Sequence, residues 1–183
     1  MFAVYQVDRS LHPFSTATSS SSVGTLDGSS LSPADPSPLR PSALADIACG
    51  LARTAEAWRG RLTGHHRRRA GLRLIATPEY DVWVLYWPPG TNVAPHDHGQ
   101  SAGAFAVAAG ELLEIRWHGE IRRHRKIVRG EFLTVEPGVV HDVLAVDVPA
   151  LSVHVYSPPL RSMNYYDDDG RRIVDRQAVE GEA

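Results

Sequence analysis

From residue 71 onward the chain runs in short bursts of apolar residues. "LRLIAT" (72–77), "YDVWVLYW" (80–87), "GAFAVAAG" (103–110), "ELLEIRW" (111–117), "FLTVE" (132–136), "HDVLAV" (141–146) and "ALSVHVYS" (150–157) are rich in β-branched and aromatic residues and bounded by Gly, Pro or Asp. That many strand signals in so short a stretch, with one helical pattern ahead of them, predict an antiparallel sandwich or barrel. The helical pattern lies in "SALADIACGLARTAEAWRGRL" (42–62). There Leu44, Ile47, Leu51, Trp58 and Leu62 recur at helical spacing, Ala48 and Ala55 fill the same face, and Ser42 is placed to cap the N-terminus. Residues 1–40 follow neither period. Their Ser/Pro-rich run "STATSSSSVGTLDGSSLSPADPSPLRP" has too few large apolar groups to offset the entropy of ordering, so a flexible arm is expected. The division that results is an arm over 1–40, a helical segment with the basic linker "GHHRRRAG" over 41–70, a mainly β domain over 71–166 and a tail over 167–183.

Composition narrows the function. The 183 residues are 43% hydrophobic, which suits one globular domain with a real core. A net charge of −2 supplies no overall drive toward nucleic acid or an anionic membrane, and neither is expected as a partner. The basic stretch "WHGEIRRHRKIVRGEF" interleaves Trp117, Ile121 and Ile127 with charge, the pattern of a hairpin at an exposed sheet edge. Cys49 is the single cysteine, which excludes an intramolecular disulfide and a cysteine-based metal site and fits a cytoplasmic setting. No apolar run approaches the roughly 20 residues of a spanning helix, and no secretory signal is expected. "DDDG" at 167–170 lacks the rest of a calcium loop and reads as a turn.

The chemistry-bearing residues are histidines. In a strand, His96 and His98 of "APHDHG" face one side while Asp97 faces the other, so two imidazoles can meet one metal ion. The flanking residues Gly90, His96, His98 and Gly110 resemble the first motif of the cupin superfamily, with Gly103 where that motif carries glutamate. "GEFLTVEPGVVHDVLA" resembles its second motif through Gly130, Pro137, Gly138 and His141, with one extra residue of spacing and Ala145 in place of asparagine. The resemblance implies a cupin-type jelly-roll β-barrel that brings His141 beside the His96–His98 pair. Three neutral imidazoles without a carboxylate would leave open positions on iron(II) for an anionic donor and dioxygen, and a thiolate suits such a site.

In "ALSVHVYSPPL", Ser152, His154 and Tyr156 share one face and Leu151, Val153 and Val155 the other. Either the polar row points inward and hydrogen-bonds within itself, or it faces outward with the aliphatic row in the core.

Taken in order, "HDHGQSAGAF", "GELLE", "PGVVHDV" and "SVHVYSPPL" resemble cysteine dioxygenase and its bacterial thiol dioxygenase relatives, over roughly residues 71–166. This resemblance implies one mononuclear iron(II) on His96, His98 and His141, and a Ser152–His154–Tyr156 relay with the phenol near substrate. The implied reaction adds both atoms of dioxygen to a small thiol carboxylate, L-cysteine first, to give a sulfinic acid. Some members join a cysteine covalently to the tyrosine; that position is Gly103 here. The family's substrate arginine sits in a Tyr-x-Arg pair. Arg73 of "GLRLIA" matches it, with Gly71 in the tyrosine's place, and Arg161 is a second candidate. The alternatives are 3-mercaptopropionate or another thiol as substrate, a cupin acting on a non-thiol, or a cupin that binds a metal or small ligand without turnover. The oligomeric state is left open, a monomer included.

Overall fold

The computed structural model describes residues 37–62 and 68–179. The arm expected over 1–40 therefore lies, but for its last residues, outside the described residues, as do His12, His65 and His66. Helix α1 (Pro41–Arg53) is followed by two short 3-10 turns, Ala55–Ala57 and Arg59–Leu62. Eleven strands come next: β1 (Ala70–Ala76), β2 (Asp81–Trp87), β3 (Thr91–Asp97), β4 (Ala102–Ala109), β5 (Glu111–His118), β6 (Ile121–Val128), β7 (Phe132–Val135), β8 (His141–Ala145), β9 (Ala150–Ser157), β10 (Ser162–Tyr166) and β11 (Ile173–Ala178).

The strands form two antiparallel sheets, ordered β1-β2-β9-β4-β7 and β11-β10-β3-β8-β5-β6. β5 pairs with β6, β4 with β7, β3 with β8 and β2 with β9, so the chain is one long hairpin rolled up and shared alternately between the sheets. That is a jelly roll. Its β4–β5 corner depends on Gly110, where φ is +70° and a Cβ would lie 2.1 Å from the Pro149 carbonyl oxygen.

The five-stranded sheet is buried on both faces. Its outer face presents Val82, Val84, Ala104, Ala106, Val153 and Val155 to Leu44, Ala45, Ala48 and Trp58 of the helical segment. Its inner face adds Trp87, Phe105 and Val107 to Leu112, Ile127 and Val143 of the other sheet. The alternative for β9 is thereby resolved. The aliphatic row packs beneath α1, and the polar row points into the barrel.

The helix differs from the sequence reading at both ends. Pro41 takes its first position and Arg40 stands outside it with no side-chain cap, so Ser42 lies within the helix. At the other end Trp58 donates its indole N–H to the Leu51 carbonyl at 2.9 Å. Thr54 turns its hydroxyl onto the Leu51 carbonyl at 3.2 Å. The apolar spacing that runs on to Leu62 thus belongs to a chain folded back on the helix rather than to a longer helix. Residues 173–178, placed in a tail by the sequence reading, form β11. At 167–170 the Asp167 carboxylate accepts from the Arg171 backbone N–H at 3.0 Å, and Gly170 lies against the Trp117 ring, closing a turn.

Candidate metal centre

His96 lies at the end of β3, and His98 just beyond it. They are held there from behind: Asp97 points away from them and accepts from the Gly99 backbone N–H (2.7 Å), the Asn164 amide (2.8 Å) and the Tyr166 phenol (2.6 Å). That network ties β3 to β10. Cross-strand pairing places His141 of β8 opposite His96. All three histidines are buried, and one ring nitrogen of each lies within 4.8 Å of the others.

The hydrogen bonds say which nitrogens face inward. His96 Nδ1 is 2.9 Å from the Ala94 carbonyl, which can only accept, so Nδ1 carries the hydrogen and Nε2 keeps its lone pair. His141 Nδ1 is likewise 3.0 Å from the Glu114 carboxylate. The Nε2 atoms of His98 and His141 stand 3.4 Å apart. Two ligands about 2.1 Å from one ion would be separated by about that much. Burial, reinforced by the nearby His141, lowers the His96 and His98 pKa values well below the ordinary imidazole range, so both rings are neutral. Three converging imidazoles, two of them with Nδ1 turned to an acceptor so that Nε2 faces the others, fit a divalent cation, and the rings themselves bring no anion to it. The Glu114 carboxylate sits behind His141, in an ion pair with Arg116 at 2.9 Å while Arg116 donates to the Thr134 carbonyl at 2.6 Å.

A chain of hydrogen bonds runs along β9. The Trp87 indole N–H, a donor only, meets Ser152 Oγ at 2.8 Å. Ser152 Oγ is also 2.8 Å from His154 Nε2. Burial takes the His154 pKa down to about 3, so the ring is neutral, and its Nδ1 lies 3.3 Å from the Tyr156 oxygen. The chain ends at Tyr156. Its ring is 4.7 Å from that of His98, and burial keeps the phenol protonated by raising its pKa. A Cβ on Gly103 would lie 3.1 Å from the Tyr156 ring and 3.6 Å from His98 Nδ1. Glycine there gives the phenol its place beside the histidines.

The arginines divide differently from the sequence reading. Arg73 shares the inner row of Trp83, His154 and Phe105, with its guanidinium carbon 5.9 Å from the Trp83 ring centroid, and its charge acts on Asp81. Arg69, read from sequence as part of a solvated basic run, lies over Trp87 with its guanidinium carbon 5.4 Å from that ring's centroid. Its charge acts on His96, His154 and Tyr156. Arg161 is exposed. Cys49 lies on α1 and packs partly against the core, where burial raises its thiol pKa and leaves it poorly nucleophilic. Trp87, Glu114 and Arg69 were not singled out for the site from sequence. The period-two rows Leu112–Glu114–Arg116 and Leu85–Trp87 carried the signal for the first two; Arg69 precedes its strand and carried none.

Fold and site together define a cupin with a buried three-histidine metal site. The match is to the family model described as cysteine dioxygenase type I, over residues 46–169, and the chain belongs to that family. Among solved structures, this chain is similar to one from a study of DMSP lyases, at 19% identity and a TM-score of 0.45, covering 49% of this chain and 47% of the other. It thus spans about half the length of that relative. The protein TT1209 from Thermus thermophilus is 20% identical with a TM-score of 0.48, covering 55% of this chain and 94% of the other. A cupin superfamily protein from Desulfitobacterium hafniense is 10% identical with a TM-score of 0.45, covering 51% and 81%.

Proposed function

We propose that this protein is an iron(II)-dependent thiol dioxygenase that converts a small thiol carboxylate, L-cysteine first and 3-mercaptopropionate second, to its sulfinic acid. The observation that carries the reading is the junction of three converging buried imidazoles, bringing no anion, with a protonated phenol packed against one of them. The bound ion would supply the activation of dioxygen and of the substrate sulfur. His96, His98 and His141 hold it, and Glu114 keeps His141 in the tautomer that exposes Nε2. Tyr156 donates a hydrogen bond to oxygen as charge develops there, and Ser152 and His154 position the phenol. Arg73 remains the candidate read from sequence for the substrate carboxylate. Arg69, whose charge acts on the site groups themselves, is the better placed of the two. The reaction balances as one thiol plus one dioxygen giving one sulfinic acid, with both oxygen atoms on sulfur.

The test is oxygen uptake by protein reconstituted anaerobically with iron(II), with L-cysteine and 3-mercaptopropionate offered in parallel and products weighed by mass spectrometry. A gain of two oxygens on one of the thiols is expected. No uptake with either, in folded protein holding stoichiometric iron, rejects both substrates.

A further inference from the structure

The six-stranded sheet contributes an inward group that neither the histidine site nor the relay uses. Tyr165 pairs across strands with His96, so it shares the inner face, and its ring centroid is 6.1 Å from that of His96. The phenol is partly buried, and its O–H donates to the Met163 thioether sulfur at 3.7 Å. Sulfur in a thioether is a weak acceptor, so this phenol spends its hydrogen on little and gains by exchanging it for an anionic oxygen. Arg69 approaches the same space from the other sheet, over Trp87. Its charge acts on Tyr165 as well as on Tyr156 and His96, so the guanidinium is electrostatically coupled to both phenols and to the histidine.

We propose that Tyr165 is a specificity-determining residue, donating its phenol hydrogen to the acid group of the substrate across the site from Arg69. The inference rests on the thiol carboxylate reading of the site. It assigns selection of the acid to a pair of donors drawn from both sheets: the arginine supplies charge, and the phenol supplies direction. A thiol without an acid group gains nothing from either.

Tyr165→Phe keeps the ring against His96 and removes the O–H. The experiment is equilibrium binding, without oxygen, of 3-mercaptopropionate and of ethanethiol to the iron(II)-loaded full-length protein and to the iron(II)-loaded variant. The wild-type protein should prefer the acid-bearing thiol. The variant should bind it about tenfold more weakly, the loss of one charge-assisted hydrogen bond, while its affinity for ethanethiol stays within about twofold. Unchanged affinity for 3-mercaptopropionate overturns the assignment, and so does an equal loss for both thiols, which would mark a packing role. Binding and turnover are separable here. If the wild type prefers the acid and Y165F loses the preference, but no sulfinate forms, the dioxygenase reading fails and Tyr165 keeps its role. If sulfinate forms and Y165F keeps the full preference, the Tyr165 assignment alone is overturned.

Discussion

At the scale of residues, the site is built from a chain of buried hydrogen bonds that ends at Tyr156. Removing the last donor tests the chain most directly: Tyr156→Phe should lower turnover about a hundredfold, the size found for one lost donor to developing charge, with iron content unchanged by metal analysis. Glu114→Gln keeps an acceptor oxygen for His141 and removes the charge. It should weaken metal binding about tenfold, read by competition against a chromophoric chelator. His154 sets a pH dependence. Burial holds its pKa near 3, whereas in the unfolded chain it takes up a proton below about 6.5. Its contribution to stability is therefore complete above that pH and is lost as the pH falls, by up to about 1.4 kcal/mol per unit. Asp142, pushed up to about 7 by burial, slopes the opposite way over an overlapping range. The metal-free protein is therefore best compared with His154→Asn, whose stability by chemical denaturation should gain on the wild type between pH 6.5 and 5 by about 2 kcal/mol. The HxH pair and the Ser-His-Tyr row were legible at this scale because period two fixes which side chains share a face. Which face was inward was not legible, since each row of β9 contains residues fit for a core. For Trp87 and Glu114 the period-two rows placed the side chains but not their roles, which depend on partners 65 and 27 residues away.

At the scale of elements, α1 is a backing plate for the strands that carry the relay. Leu44 is fully buried against the sheet that contains β4 and β9. Leu44→Ala should cost about 2–5 kcal/mol, measured as a shift in denaturant midpoint. The strands that were read from sequence are those with continuous apolar runs. β10, "SMNYY", and β11, "IVDRQA", escaped notice because they lie at the margin of the sheet, half-exposed or exposed, and show neither a run nor a clean alternation. β3 was legible through its histidines rather than its hydrophobicity, for "TNVAPHD" contains a proline and few large apolar side chains. The helix was read too long because Leu51, Trp58 and Leu62 satisfy a 3.6-residue period that the fold meets with a reversal.

At the scale of the whole molecule, the rolled hairpin explains why ligands 43 residues apart in sequence, His98 and His141, can face each other. Closing the roll brings the ends of β3 and β8 together, whatever the length of chain between them. The cupin-like spacing of glycines and histidines made this legible in advance, since those glycines mark the corners at which the hairpin changes sheet. The place of Arg69 could not be read that way, because it depends on where the chain enters β1 and not on any period within it.

Gly103 gives this molecule a chemical history unlike that of relatives with a cysteine at the matching position. With no sulfur beside it, Tyr156 stays the same ordinary phenol from the day the chain folds. On the proposed dioxygenase reading, Tyr156 has no cysteine at position 103 to be joined to, and the protein should remain a single form. Progress curves should start without a lag, and intact-mass spectra should show one species before turnover and the same species after it.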